Sequence, residues 1–129
     1  MKSEYALLAL IDLCEHEQDG FVRIIDICKR KSIPKKFLEQ ILLSLKHAGY
    51  VESRRGLDGG YRLAKKPSQI SLAQVVRLLD GALASVGSVS QYFYKNTPIE
   101  KNEKLLHVFR EIRDYLSEKM EKTTIDMLI

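Results

Sequence analysis

The stretch between residues 32 and 63 constrains this chain most. Between residues 34 and 48, Phe37, Leu38, Ile41, Leu42 and Leu45 recur at helical spacing and fall on one face. Lys35, Lys36, Glu39, Gln40, Ser44 and His47 fall on the other. Ser32 suits the N-cap of this helix, Pro34 its first turn and Gly49 its C-terminal cap. A shorter helix precedes it, with Ile24, Ile25, Ile27 and Cys28 as its buried stripe. Lys29, Arg30 and Lys31 sit at its end, where the helix dipole favours cations. Two helices joined by a tight turn, the second with a polar and basic outer face, make a helix-turn-helix pattern. Helical hairpins that never touch DNA share that pattern.

The residues that follow narrow the choice. Tyr50-Val51-Glu52-Ser53-Arg54 alternates like a short strand, and Tyr61-Arg62-Leu63 reads as its partner. Between them, Arg55-Gly56-Leu57-Asp58-Gly59-Gly60 is a glycine-rich tip, slim enough to approach another molecule closely. Helix-turn-helix followed by such a hairpin predicts a winged helix. The tip is not a phosphate cradle: it lacks a Lys-Ser/Thr ending and leads into a strand. Asp58 either tunes wing binding by its negative charge or simply completes an Asp-Gly turn.

Around this unit lie three more helices. The first carries Tyr5, Leu8, Ala9, Ile11, Asp12 and Leu13 and ends by Asp19-Gly20. The fourth, capped by Ser71, carries Leu72, Val75, Val76, Leu78 and Leu79 and ends at Asp80-Gly81. Residues 82–98 are small and polar, with an aromatic cluster at Tyr92, Phe93 and Tyr94 that either lines an effector or partner site or packs a loop. A long helix then spans about residues 99–122. Its Leu105, Phe109, Ile112, Leu116 and Met120 step by 4, 3, 4 and 4, a coiled-coil-like seam that one small domain cannot cover. A homodimer is the expected way to bury it. The expected fold is therefore mainly α with a small β-hairpin wing: a winged helix-turn-helix plus a long C-terminal dimerisation helix. Its parts are a DNA-binding domain at 1–81, a loop or effector segment at 82–98, and a dimerisation helix with a C-terminal element at 99–129.

Charge supports a polyanionic partner. Between Lys29 and Lys66 stand eleven Lys or Arg against Glu39, Glu52 and Asp58, a net +8 within a chain of net +4. A solvated charged face is the plainer alternative; so is a winged helix that binds protein instead of a DNA operator. No apolar run approaches the roughly 18 residues of a membrane span, and residues 1–20 lack a signal-peptide pattern, so a cytoplasmic location is expected. Cys14 and Cys28 have no CxxC spacing and read as small buried hydrophobes, with a regulatory thiol pair as the other reading. His16, His47 and His107 stand apart, so neither catalytic nor metal-binding residues are expected.

Several motifs stand together in one order: Tyr5-Ala6-Leu7, the run Ile33 to Leu42, Leu45-Lys46 with Ala48-Gly49, Ser53-Arg54-Arg55-Gly56 with Gly59-Gly60-Tyr61-Arg62-Leu63, and Thr123-Thr124-Ile125-Asp126-Met127-Leu128. In this the chain resembles the Rrf2 family of bacterial regulators over nearly its whole length. The resemblance implies a dimer crossing through its long helices, with two winged helices on a palindrome of double-stranded DNA. Many relatives hold an iron–sulfur cluster with three cysteines in the loop after the fourth helix. Residues 81–90 here contain none, and Ser88 stands where the first ligand is expected, so no cofactor is expected. The signal then comes from an unidentified effector or partner protein. In the groove, Gln40 suits adenine and Glu39 a cytosine amino group. Lys35, Lys36, Lys46 and Arg54 suit phosphates, Arg55 suits a minor-groove contact, and Gly59, Gly60 and Tyr61 complete the DNA-facing wing.

Overall fold

The apolar positions of the first three helices converge on one core. The computed structural model of the protein describes residues 2–81 and 101–129. Helix α1 (Lys2–Glu15) contributes Ala6, Ala9, Leu10 and Leu13. Helix α2 (Ile24–Lys31) contributes Ile27, and α3 (Lys35–His47) contributes Leu38, Leu42 and Leu45, all essentially buried. The hairpin of β1 (Val51–Arg54) and β2 (Gly60–Leu63) pairs antiparallel, with Val51 opposite Leu63 and Arg54 opposite Gly60. Just before α2, Val22 exchanges two 2.8 Å backbone hydrogen bonds with Tyr61, which ties the wing to the body.

Helix α4 (Leu72–Leu79) opens with a capping box: Ser71 Oγ accepts the Gln74 N–H at 3.2 Å, and the Gln74 side chain accepts the Ser71 N–H at 3.0 Å. Helix α5 (Glu103–Lys122) is capped by Asn102, whose Oδ1 accepts the Leu105 N–H at 3.0 Å. The chain then turns back on the body. Leu72 N–H donates to Thr123 C=O at 2.9 Å, and Ile125 N–H donates to Ile70 C=O at 3.0 Å. Ile125 itself is fully buried and packs with the α1 core. The C-terminal Thr-Thr-Ile stretch is therefore an anchor that fixes where α5 leaves the body.

One charge lies inside. Asp12, fully buried on α1, accepts a bidentate pair from Arg30 of α2, Nε at 2.8 Å and Nη2 at 2.9 Å. Those bonds hold the guanidinium more firmly protonated than an ordinary arginine. At the other end of α1, the Ser3 N–H and hydroxyl both donate to the Asp80 carboxylate, joining the start of α1 to the end of α4.

The local expectations need four corrections. Ser32 does not cap α3. It sits in the left-handed region at φ 55°, its N–H closing α2 onto Cys28 C=O, because reversing the chain between packed helices requires one left-handed residue. Pro34, not a residue of the first turn, occupies the N-cap of α3 and makes no side-chain cap. Gly49 closes α3 as expected: at φ 86°, just after Ala48, its N–H donates to Lys46 C=O at 3.0 Å and the Tyr50 N–H to Leu45 C=O at 2.9 Å. Helix α5 starts at Glu103, because Asn102 terminates it by capping. Ile25, Phe37 and Leu78 are exposed at 40, 53 and 41%, each rotated off the stripe that their helix buries. Residues 82–98, with Ser88 and the Tyr92–Tyr94 cluster, lie outside the described residues.

Candidate nucleic-acid interface

Burying Leu38, Ile41, Leu42 and Leu45 fixes how α3 is rotated. With that face inward, Lys36, Gln40, Leu43 and His47 stand opposite it, all exposed, with Glu39 and Lys46 on one flank and Phe37 and Ser44 on the other. Lys35 approaches Glu39 at 3.9 Å, with both side chains more than half exposed, so that pair is weak and screened. Phe37 stacks on Tyr5 of α1 with ring centroids 6.3 Å apart. The two rings wall a cleft of about 280 Å³ between α1 and α3, and Gln40 lies at its edge.

The wing is built on a stack of cations. The Arg54 and Arg62 guanidinium groups lie 4.5 and 4.4 Å from the centroid of the Phe21 ring, and Arg62 also pairs with Glu52 across the strands. Arg54 Nη2 donates to Asp58 C=O at 3.4 Å. Stacking and pairing hold these side chains at the base of the wing. Both glycines of the pair at its neck are sterically required. A Cβ on Gly59 would lie 2.2 Å from Arg54 C=O, and one on Gly60, at φ 146°, would lie 2.2 Å from Val22 C=O. Gly59 is buried and Tyr61 half-buried, its backbone paired with Val22. These three residues shape the wing through the backbone. The tip beyond them, Arg55 to Asp58, is exposed, and Leu57 completely so.

The eleven cations of the basic block divide by partner. Arg30 is committed to Asp12, Lys31 to Glu15 at 2.7 Å, and Arg62 to Glu52. Lys36, Lys46 and Arg55 are exposed and have no ion-pair partner among the described residues. They put positive charge along α3 and at the wing tip, while the exposed Lys29, Lys65 and Lys66 carry part of the block at the end of α2 and beyond β2.

A second surface lies on α5. Leu105 and Ile112 are 44 and 46% exposed, and Phe109, Leu116 and Met120 are half-buried. Sequence periodicity finds this seam but misses Val108 and Tyr115 beside it, 50 and 73% exposed. It also misses Phe21, Val22 and Leu43. A single β-bridge is too short to show alternation, and Leu43 falls on neither of the two faces that the periodicity defines. No helix among the described residues is long and apolar enough to cross a membrane, and none of their His, Cys, Asp and Glu residues form a group that could hold a metal ion.

Comparison with known proteins places this architecture. The family model for Rrf2, described as an iron-dependent transcriptional regulator, matches residues 1–129. An rrf2-like HTH-type regulator of Rhodobacter capsulatus is 40% identical over 97 residues, covering 73% of this chain and 65% of the relative. An HTH-type regulator of Mycobacterium tuberculosis is 34% identical over 125 residues, covering 96% of this chain and 76% of the relative. The chain thus spans just under two-thirds of the Rhodobacter protein. The solved structure of CymR, the global cysteine regulator of Bacillus subtilis, superposes with a TM-score of 0.80 at 28% identity, over 99% of this chain and 92% of that one. With the family model matching from end to end over a winged helix-turn-helix, this chain belongs to the Rrf2 family of transcriptional regulators.

Proposed function

We propose that this protein is a repressor that binds a palindromic operator as a homodimer, without an iron–sulfur cluster, and answers to an effector or partner protein. The observation that carries this reading is the pairing of two surfaces on one chain. A basic recognition helix and wing stand on one, and an apolar stripe along a 20-residue helix lies on the other. Two copies joined along α5 present two α3 helices related by a two-fold axis, which is the geometry that reads an inverted repeat. In this reading Lys35, Lys36, Lys46 and Arg54 meet phosphates, Gln40 and Glu39 meet base edges, and Arg55 enters the minor groove. Where such an operator overlaps a promoter, occupancy blocks it, and repression is the reading taken.

The cysteines are a poor fit to a cluster. The chain has two, fewer than the three cysteines of the cluster-binding relatives. Cys14 is buried in the α1 core and Cys28 is half-buried on α2, and burial pushes both thiols above their ordinary pKa. Cluster ligands are thiolates, which such surroundings disfavour.

The test uses a mixed-sequence duplex before any operator is known. Affinity measured by fluorescence anisotropy is expected to fall steeply with salt, its logarithm losing roughly 0.9 per phosphate neutralised for each tenfold rise in salt. Converting Lys36 and Lys46 to alanine together is expected to flatten that slope by about two phosphates' worth. Binding indifferent to salt overturns the reading in favour of a protein-binding winged helix, and a steep slope indifferent to the double substitution overturns the placing of Lys36 and Lys46 on phosphates.

A further inference from the structure

The geometry points to Leu43 as a reader of thymine, packing on the 5-methyl group in the major groove one base pair away from the pair addressed by Gln40. This rests on the reading of α3 as the groove-entering helix. Leu43 is 49% exposed and lies at the centre of the outward face, flanked along the helix by Gln40 and His47. The inward face is fixed by Leu38, Leu42 and Leu45, all at 0% exposure, so no rotation of α3 buries Leu43 without expelling them. Lone exposed leucines are common on protein surfaces. What distinguishes this one is its position. The other outward side chains of α3, Lys36, Gln40 and His47, are all polar or charged. The other exposed apolar residue of α3 that flanks this face, Phe37, is already stacked on Tyr5.

The chemistry of the groove supplies the counterpart. The thymine 5-methyl is the one apolar group that a standard base pair presents on the major-groove side, and apolar side chains recognise it. Three residues advance about 4.5 Å along a helix, and base pairs are about 3.4 Å apart, so Gln40 and Leu43 address neighbouring pairs. Adenine suits the Gln40 amide, so the half-site should contain an A·T pair next to a second pair whose thymine faces Leu43. Burying one methyl corresponds to about fourfold in Kd.

The experiment takes the duplex selected by the full-length protein from a random pool and replaces each thymine in turn with deoxyuridine. That change removes the methyl and keeps the pairing. One thymine per half-site is expected to cost the wild-type protein about fourfold on substitution. L43A is expected to bind the thymine duplex about fourfold more weakly and to be indifferent to uracil there, while L43M retains the sensitivity. Unchanged thermal unfolding of both variants checks the fold. If no thymine matters to the wild type, or L43A stays as sensitive as wild type, the assignment to Leu43 fails while the groove reading of α3 stands. If selection yields no consensus, both fail together.

Discussion

Replacing Arg30 with methionine separates the cations that hold the fold from those that meet DNA. Arg30 belongs by sequence to the basic block, yet its guanidinium makes two short bonds to the fully buried Asp12. Methionine keeps much of the side-chain volume and removes the bidentate partner, leaving the buried carboxylate with only the His16 ring, 3.8 Å away; an uncompensated charge costs about 3–5 kcal/mol in a dry interior. The Arg30 side chain is 37% exposed, so water reaches the vacated position and the cost falls toward about 2–4 kcal/mol. For a chain of 129 residues that corresponds to a drop in Tm of about 10 °C, measured by circular dichroism or calorimetry. The double variant with Asp12→Leu removes the stranded charge as well and should recover most of the loss. DNA affinity at a temperature where the single variant is folded should keep its salt slope, because Arg30 meets no phosphate. A Tm within about 1 °C of wild type, or a flatter salt slope, would refute the reasoning.

Three further outcomes follow from named contacts. Gly60→Ala forces a Cβ against the Val22 carbonyl at an unfavourable φ, so it should lose about 2 kcal/mol or more and speed amide exchange at Val22 and Tyr61; an unchanged Tm would contradict this. Arg55→Ala should weaken operator binding by about 1–3 kcal/mol, most at A·T-rich flanks, whereas an equal loss on every duplex would make Arg55 a phosphate contact. Ile112→Glu, in the exposed α5 stripe, should leave the protomer folded and shift sedimentation toward the monomer; a persistent dimer would move the interface elsewhere.

The recognition helix and wing were legible in the sequence because two periodicities abut there. A 3.6-residue stripe from Leu38 to Leu45 gives way to alternation around Gly59-Gly60, and each pattern dictates its own backbone. The capping role of Ser71 was legible for the same local reason. Pairings made at a distance were not. Asp12 meets Arg30 across 18 positions and Ser3 meets Asp80 across 77, and nothing local announces either. The pattern around Ser32 points to an N-cap because serine serves both there and as a polar turn residue. Its left-handed φ is set by how α2 and α3 pack. Phe37 reads as part of the buried stripe because it adjoins it, and Leu43 falls on neither face of the pattern; only the rotation of α3 on the core settles which side each faces. Gly59, Gly60 and Tyr61 shape the wing's backbone, and the DNA-facing role that the wing motif suggests for them stands as a proposal.

Selection of duplexes from a random pool by the purified protein, with sedimentation of the resulting complex, tests the central claim most directly. The expected winner contains two inverted half-sites one or two helical turns apart, bound by two protomers, with A·T pairs under Gln40 and Leu43. A winner with one half-site and one protomer, or a pool with no consensus at low salt, would contradict a dimeric operator-reading protein.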